Sequence, residues 1–396
     1  MSFPILKLKK NECRRIRAGH LWVFSNEVDT RTTPLSQFSP GEIVTIVSNN
    51  GRPLANAYIN PNSLICARIY SHNTKQKLDS EFLQSRIQQA FQLRNRRFEQ
   101  PYYRLVYSES DLLPGLVVDR FDDTMVLQIS TQGMDCRENE IITALEQTLP
   151  ISNIVLNNNT SARKQEGLDC FAKIIKGAPG ETLQVVENNS RFAFSTLAGQ
   201  KTGWFYDHRL NRLAMQNWVK QKRVLDVFSY LGGWGIQALV AGAQSVTCVE
   251  ASKPACEFIS TNADLNNVSD KLNIINDDAF ETLSKLKHAN EKFDLVVLDP
   301  PAFIKRKKDL KQGTAAYQRL NKLAMQLLAE NGMVISASCS YHFSREQHLK
   351  VIRTCAQQIG LQAQIVEEGR PGPDHPLHPA IPESNYLSCF TLRLLK

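Results

Sequence analysis

The sequence predicts an α/β protein with a doubly wound, mostly parallel sheet in its carboxyl-terminal half and two smaller domains before it. From about residue 195 onward, short apolar runs alternate with helical segments, a pattern typical of a parallel sheet with helices on both faces. Before residue 73, short β-type runs are separated by Asn, Gly and Pro turn signals, which favours a small antiparallel barrel. The length of 396 residues suits two or three domains of roughly 100–200 residues each.

The predicted domains cover residues 1–73, 74–190 and 191–396. The β-type runs of the first domain are Glu42–Ser48, Pro53–Asn60 and Ser63–Tyr70. The second is predicted to be a small α+β domain, with an amphipathic helix over 79–99, strand-like runs Leu116–Phe121 and Thr124–Ser130, a helix near 136–148, a strand Asn153–Leu156 and two runs flanking Asn188-Asn189. The five sheet strands of the third are Val224–Phe228, Ser245–Val249, Leu272–Ile275, Asp294–Leu298 and Met333–Ala337.

The positive charge is concentrated at the amino terminus. The net charge is +8, and residues 1–73 contain nine Lys or Arg against four Asp or Glu. A small basic module attached to a nearly neutral body suggests contact with a polyanion. A solvated basic surface explains the charge equally well, so charge alone does not decide between the two.

The remaining composition argues for a reduced, metal-free protein without a membrane segment. No apolar run approaches the roughly 18 residues of a transmembrane helix. The sequence begins MSFPILKLKK, and its apolar run is too short for a signal peptide. The nine cysteines include no C-x-x-C pair, so the spacing gives no zinc or redox signal. We therefore expect free thiols in a cytoplasmic protein. The sequence is compatible with a homodimer but does not fix the oligomeric state.

A glycine-rich loop follows the first strand of the predicted sheet. The strand ends at Phe228, and Gly232-Gly233-Trp234-Gly235 leads into a helix. Such glycines let a ligand approach the backbone at the carboxyl end of the strand. The spacing is not the G-x-G-x-x-G of dinucleotide sites, and Asp226 inside the strand would repel a pyrophosphate but attract an ammonium group. This favours a cationic amino-acid cofactor over a nicotinamide dinucleotide.

Two further acids lie at the ends of the next strands. Glu250 follows the second strand, where a carboxylate can accept both hydroxyls of a ribose. Asp278 follows the third strand, where it could meet an adenine amino group, or could simply cap the following helix. Because the carboxyl ends of parallel strands share one edge of the sheet, the three acids and the glycine loop together predict a nucleoside-type site.

The fourth and fifth strands end in residues suited to act on a nucleobase. The fourth runs into Asp299-Pro300-Pro301-Ala302-Phe303, where two prolines keep the chain extended as it leaves the sheet. An acid and backbone carbonyls at this point can form hydrogen bonds with a flat, polar base. The fifth ends at Cys339, a thiol well placed to attack a substrate. A rigid loop without chemistry and a buried structural cysteine are the plainer interpretations of these two features.

Together these motifs resemble the ribosomal RNA large subunit methyltransferase I family, bacterial class I (Rossmann-like) enzymes that make 5-methylcytosine in 23S ribosomal RNA. The resemblance covers nearly the whole chain and implies an amino-terminal PUA domain, which is an RNA-binding barrel. Its segments are Gly19–Phe24 and Asn56–Asn60 in the PUA-like part, Ser108–Leu116 in the middle domain, Gln200–Arg209 at the entry to the catalytic domain, and Asp374–Pro376 and Pro382–Leu387 near the end.

The resemblance also implies the roles of the site residues. The residues expected to bind S-adenosyl-L-methionine are Asp226, Phe228, Gly232, Gly233, Glu250, Asp278 and Asp299. Pro300, Pro301 and Phe303 would hold a flipped cytosine, Asp299 would also act on it, and Cys339 would be the nucleophile. Many RNA cytosine-C5 methyltransferases carry a second cysteine directly after the proline of this motif, whereas Pro301 follows Pro300 here. The base that removes the C5 proton is therefore unassigned. The expected partner is 23S rRNA or a large-subunit assembly intermediate.

Three other functions compete with this one. Asp299-Pro300-Pro301-x-Phe303 also resembles the motif of enzymes that methylate amino groups of nucleobases, a reaction that needs no thiol. A non-catalytic RNA-binding protein with a dead methyltransferase fold is opposed by the intact acids, glycines and thiol. A nicotinamide oxidoreductase is disfavoured by the glycine spacing.

Overall fold

The structure, a computed structural model, describes residues 3–396 and divides into two compact units. The first unit extends to Leu183 and also includes Ser195–Trp204 and Pro373–Ser384. The second contains Gln184–Phe194, Phe205–Gly372 and Asn385–Lys396. Among the described residues, none of the helices combines the length and the apolar character needed to cross a bilayer.

The amino-terminal part of the first unit is a five-stranded sheet of order β1-β3-β4-β5-β2. Its elements are β1 (Ile5–Lys7), α1 (Arg14–Arg17), β2 (Trp22–Phe24), β3 (Ile43–Val47), β4 (Pro53–Ile59) and β5 (Ile65–Ser71). A bridge between Leu8 and Val28 joins the two edges of the sheet, as in a small barrel. The pairing of β1 with β3 is parallel, so the prediction of an entirely antiparallel barrel was wrong at this strand. The two three-residue strands are too short to give a periodic signal.

The remainder of the first unit is a five-stranded sheet of order β10-β9-β8-β7-β6, with helices α2 and α4 in contact with each other. Its elements are α2 (Ser80–Asn95), β6 (Tyr102–Tyr107), β7 (Leu116–Phe121), β8 (Thr124–Ile129), α3 (Gln132–Asp135), α4 (Glu138–Thr148), β9 (Asn153–Asn157), α5 (Ser161–Glu166) and β10 (Ala172–Lys176). The fully buried Arg94 donates to both carboxylate oxygens of Asp111, at 2.6 and 2.7 Å, which satisfies its charge inside the fold.

A hairpin, β11 (Thr182–Glu187) and β12 (Ser190–Ser195), leads into the second unit. Most of this hairpin groups with the second unit, so the boundaries at 73 and 190 stay predictions. The helices and strands that follow are α6 (Arg209–Met215), β13 (Arg223–Val227), α7 (Gly233–Val240), β14 (Ser245–Val249), α8 (Lys253–Leu265), β15 (Leu272–Ile275), α9 (Ala279–His288), β16 (Phe293–Leu298), α10 (Leu310–Gln326), β17 (Leu328–Ser338), α11 (Arg345–Gln358), β18 (Gln362–Gly369) and β19 (Ser388–Leu395).

The seven-stranded sheet of the second unit has the order β15-β14-β13-β16-β17-β19-β18. Its first five strands are parallel, and β19 is antiparallel to both of its neighbours. Along β13, Leu225 and Val227 belong to one buried core and Val224 to another, because alternate side chains point to opposite faces of the sheet. This is the predicted doubly wound α/β fold.

The strand order reverses between β13 and β16. From β13 the chain builds outward through β14 to β15, then crosses back to place β16 on the other side of β13. In open α/β sheets, ligands bind in the crevice at the carboxyl ends of the strands at such a switch point. The predicted site residues follow β13, β14, β15, β16 and β17 at this edge.

Candidate active site

The loop between β13 and α7 has an unusual backbone. Phe228, Tyr230 and Gly232 have φ angles of 65°, 49° and 79°, a left-handed conformation that is uncommon for any residue except glycine. The amide nitrogens of Phe228 and Ser229 both donate to the Val249 carbonyl, at 3.0 and 3.2 Å, and these bonds hold the loop against the end of β14. Such strain concentrates at ligand sites, where the surrounding structure imposes it.

Gly235 allows helix α7 to pack directly on the sheet. A Cβ atom at this position would lie 2.7 Å from the Cys248 Sγ atom and 2.9 Å from a methyl group of Val246. The Gly235 amide donates to Asp226 Oδ2 at 3.0 Å, so the carboxylate of the strand accepts from the first turn of the helix. This contact fixes the start of α7, whose first residue is Gly233, beneath the loop.

Asp226 is completely buried, and its carboxylate is only partly satisfied. Among residues 3–396, no group donates a hydrogen bond to Oδ1. Burial raises the pKa of Asp226 to about 7, because desolvation disfavours the charged form more than the Gly235 amide stabilises it. An unpaired buried acceptor beside a glycine loop is suited to a cationic ligand group, although a direct contact of Asp226 with the cofactor stays a prediction.

Glu250 follows β14 and stands beside the same loop. Its Oε2 atom accepts the Tyr230 amide and its Oε1 atom accepts the Ser252 amide, both at 2.8 Å. Each carboxylate oxygen can accept a second hydrogen bond. Because both oxygens are held in place and half-exposed, Glu250 can still accept the two hydroxyls of a ribose.

Asp278 caps helix α9. Its Oδ1 atom accepts the amides of Phe280 and Glu281 at 2.9 and 3.0 Å, the cap alternative that the sequence left open. The residue is exposed, and the cap occupies one oxygen of the two. A contact between the other oxygen and an adenine amino group stays a prediction.

Asp299 lies directly after β16 and contacts two aromatic side chains. Trp234 Nε1 donates to Asp299 Oδ2 at 2.9 Å, and His208 Nε2 lies 3.3 Å from Oδ1. The His208 and Trp234 rings pack against each other, with centroids 5.3 Å apart. The Asp299 side chain is 24% exposed whereas that of His208 is 5% exposed, so the acid is the more accessible member of the pair.

The His208–Asp299 contact shifts both groups toward their charged forms. Burial alone would raise the pKa of Asp299, but the charge of His208 lowers it below its ordinary value. Burial alone would lower the pKa of His208, but the charge of Asp299 raises it. His208 was not predicted as a site residue. The segment 200–209 was noted only for its family resemblance, and nothing in the sequence indicates that His208 contacts Asp299, 91 positions later.

The two prolines and Phe303 have different surroundings. Pro300 is buried and Pro301 is exposed. Phe303 is half-buried, and its ring centroid lies 4.8 Å from that of Tyr317 and 6.2 Å from that of Phe228. Phe303 thus belongs to an aromatic cluster with Phe228 and Tyr317, and this cluster supports the segment that carries the two prolines.

Cys339 follows β17 and is half-buried. Its Sγ atom lies 3.8 Å from the Pro300 carbonyl oxygen. Ser338, on one side of it, donates to the Tyr317 hydroxyl at 2.8 Å, and Ser340, on the other side, lies 2.9 Å from the same hydroxyl. The structure therefore brings the predicted thiol to the end of β16 and holds the residues on both sides of it.

Two family models match the chain. A PUA-like domain matches residues 6–72, and an S-adenosylmethionine-dependent methyltransferase matches residues 152–352. The first covers the barrel of the first unit, and the second covers most of the parallel sheet.

Curated relatives match along nearly the whole chain. Proteins named ribosomal RNA large subunit methyltransferase I are 34% identical in Klebsiella pneumoniae, over 99% of both chains, and 35% identical in Tolumonas auensis, over 98% of both. The protein of that name in Escherichia coli is 33% identical over 98% of this chain and 99% of its own.

Solved structures share the fold at low sequence identity. A methyltransferase complexed with SAH has a TM-score of 0.85 at 19% identity, covering 98% of this chain and 100% of its own. A SAM-dependent methyltransferase from Streptococcus mutans has a TM-score of 0.84 at the same identity and coverage.

Proposed function

The chain belongs to the ribosomal RNA large subunit methyltransferase I family of S-adenosylmethionine-dependent methyltransferases, and from that membership we propose that it forms 5-methylcytosine in 23S ribosomal RNA. The substrate is the RNA itself or an assembly intermediate of the large subunit, and the reaction takes place in the cytoplasm. The observation that carries the proposal is the 3.8 Å contact between Cys339 Sγ and the Pro300 carbonyl oxygen, one residue from Asp299.

The residues around the glycine loop fit S-adenosylmethionine. Asp226 Oδ1 is a buried acceptor without a donor among the described residues, which suits the ammonium group of a methionine moiety. Glu250 is held by two backbone amides in an orientation that suits a ribose diol. When bound, this cofactor supplies an electrophilic methyl group on a sulfonium centre.

The chemistry of cytosine explains the need for a thiol. Carbon 5 of cytosine is a poor nucleophile, and addition of the Cys339 thiolate to carbon 6 makes it enamine-like. Asp299 accepts a hydrogen bond from the exocyclic amine, or contacts N3 as charge develops there. After carbon 5 is methylated, its proton leaves to a base, the carbon 5–carbon 6 double bond re-forms and the thiolate is expelled. The target base must leave the RNA stack to reach this edge of the sheet.

A second candidate is methylation of a nucleobase amino group. The sequence Asp299-Pro300-Pro301-x-Phe303 favours it, because such enzymes place an acid and carbonyls around the amine. That reaction needs no thiol, so Cys339 separates the two candidates. A non-catalytic RNA-binding protein would retain RNA affinity without binding S-adenosylmethionine, which calorimetry would detect.

Mass spectrometry of ribosomal RNA nucleosides tests the proposal. We expect 23S rRNA from cells lacking the gene to lose one 5-methylcytosine, which the unaltered gene restores and Cys339→Ala does not. Loss of an N-methylated nucleoside would support the second candidate, and an unchanged nucleoside profile would contradict both.

A further inference from the structure

Asp299 has a neighbour that the chemistry described above does not use. His208 is buried, and its Nε2 atom lies 3.3 Å from Asp299 Oδ1, while Trp234 donates to the other oxygen. The Asn211 side-chain amide lies 3.0 Å from His208 Nδ1; its nitrogen donates to the neutral imidazole, and with its oxygen turned toward the ring it accepts from the protonated one. The imidazole is therefore buried beside the carboxylate, with Nε2 within ion-pair distance of Oδ1.

A contact between Asp299 and cytosine N3 requires a proton. An ionised carboxylate only accepts hydrogen bonds, and N3 of neutral cytosine is also an acceptor. Addition of a thiolate to carbon 6 places negative charge on N3, which must then be neutralised. His208 can provide a proton to Asp299 because its Nε2 atom lies 3.3 Å from Oδ1, so a small rotation of the ring completes a hydrogen bond.

We propose that His208 is a positioning residue that holds Asp299 in place and supplies the proton that neutralises N3. This proposal rests on the proposed function. As the thiolate adds to carbon 6, the Nε2 proton of protonated His208 passes to the ionised carboxylate of Asp299, and this same proton passes on to N3. His208 is then neutral, Asp299 is again ionised and N3 carries no negative charge. When the thiolate leaves, the proton returns by the same route. The pair is unchanged over one turnover, and no other reactant is needed.

The surroundings of His208 favour its protonated form. Asp299 and Asp207 are the acids that face it, and Arg212 is the nearby cation that opposes them. Asp207 also accepts a hydrogen bond from the Tyr386 hydroxyl. The pKa of His208 is raised by Asp299, so the proton is present below this raised pKa and is lost as the pH rises through it.

The test is the pH dependence of single-turnover methylation of a 23S rRNA transcript. We expect the rate of the unaltered enzyme to fall at alkaline pH as His208 loses its proton. His208→Gln keeps a donor but does not titrate, so it should be about tenfold slower or more and should lack the alkaline fall. Its affinities for RNA and S-adenosylmethionine should not change. A variant with the wild-type rate and pH profile would overturn the proposal.

Two comparisons separate this role from a structural one. His348 is also buried, but it contacts Ser336 and Ser388 instead of an acid, so His348→Gln should keep the shape of the pH profile. In the unaltered protein, imidazole NMR should show a His208 pKa above that of free histidine, and Asp299→Asn should lower it. If Asp299→Asn leaves that pKa unchanged, the pair is not coupled. This NMR result does not depend on the identity of the RNA.

A second observation is a basic segment, residues 305–308, that begins two residues after Phe303. Lys305, Arg306, Lys307 and Lys308 are all exposed. Arg306 is paired with Asp309 at 3.2 Å, whereas no carboxylate of the described chain lies within ion-pair distance of the three lysines. This cationic segment follows the Asp299–Phe303 segment proposed to bind the base, and its positive charge is complementary to the negative charge of an RNA backbone.

We infer that the basic segment contacts RNA phosphates next to the target cytosine, an inference that also rests on the proposed function. Replacing Lys305, Lys307 and Lys308 with Gln should weaken binding of a 23S rRNA transcript. The salt slope of log K should become shallower by about two to three, because each phosphate that a lysine neutralises contributes roughly 0.7–0.9 to that slope. Affinity for S-adenosylmethionine should stay at the wild-type value.

The control changes the same charge elsewhere on the second unit. Lys220, Lys271 and Lys287 are exposed and lie shortly before β13, β15 and β16, at the amino ends of these strands. Their triple replacement with Gln should leave the salt slope nearly unchanged. Equal effects of the two triple variants would overturn the inference. If the unaltered protein binds RNA but deleting its gene leaves the rRNA nucleosides unchanged, that result would instead count against the proposed function.

Discussion

The Sγ atom of Cys339 lies 3.8 Å from the carbonyl oxygen of Pro300, although 39 positions separate the two residues in the chain. Adjacent parallel strands β16 and β17 end side by side and create this contact. Ser340 reinforces it, because its hydroxyl accepts the Ile304 amide at 3.2 Å. The thiol and the loop that carries Asp299 are thus tied together by the fold.

Tyr317→Phe should slow methylation without abolishing it. The Tyr317 hydroxyl contacts the hydroxyls of Ser338 and Ser340, both buried, and its loss removes one hydrogen-bond partner from each, at a cost of about 1–3 kcal/mol. The segment that carries Cys339 then becomes less fixed. Thermal unfolding and single-turnover rates check this prediction. Wild-type values of both would show that the Tyr317 hydroxyl does not hold the Cys339 segment in place.

Glu250→Gln should weaken S-adenosylmethionine binding. Replacing the carboxylate removes a charge-assisted hydrogen bond to the ribose, worth about 1.5–3 kcal/mol, or roughly 10- to 150-fold in Kd. Titration calorimetry measures this directly. Glu257→Gln, which changes an exposed glutamate on the following helix, is the control and should bind the cofactor normally. Equal affinities for the two variants would remove the ribose assignment.

Asp226→Asn should change how stability depends on pH in the cofactor-free protein. The native pKa of Asp226 is raised to about 7 from its ordinary value of 3.8, so between these values the native state binds more protons than the unfolded chain. The wild-type protein should therefore lose stability relative to Asp226→Asn as the pH rises from about 4 to 7, by up to roughly 4 kcal/mol. Urea unfolding at several pH values tests the sign. A constant difference between the two proteins would mean that Asp226 is not held in this environment.

The positive charge of α1 and the turn before it should contribute to RNA affinity. Lys10, Arg14 and Arg17 are exposed, and so is Arg15, which is paired with Glu27 at 2.8 Å. Replacing Lys10, Arg14 and Arg17 with Gln should weaken RNA binding and make its salt dependence shallower. An unchanged salt slope would favour the alternative that this charge is only a solvated surface.

Much of the fold was predictable from the sequence because it depends on local patterns. Strands β14 and β15 occur at the predicted residues, since each is an isolated apolar run between helices. The carboxyl-terminal pair β18 and β19 was not predicted. Every residue of β18 is exposed or half-buried, so the run resembles a loop, and only pairing with β19 makes it a strand. Tertiary pairing overrides weak local propensity here.

The site was predictable to the extent that its residues follow strands. Asp226, Glu250, Asp299 and Cys339 could be placed at one edge from the parallel order alone. Asp278 shows the limit, because capping and ligand binding use the same residue type at the same position. His208 shows another limit, since its partner comes from a distant strand and no spacing rule connects the two.

The most direct test of the thiol mechanism is trapping with RNA that carries 5-fluorocytidine at the target. If the Cys339 thiolate adds to carbon 6, fluorine at carbon 5 cannot leave as a cation, so elimination stalls after methyl transfer. We predict a covalent protein–RNA adduct that survives denaturation, forms with Cys355→Ala and is absent with Cys339→Ala, although Cys339→Ala still binds S-adenosylmethionine. Methylation of natural RNA by Cys339→Ala at a rate near that of the wild type would contradict the thiol mechanism and favour amino-group methylation.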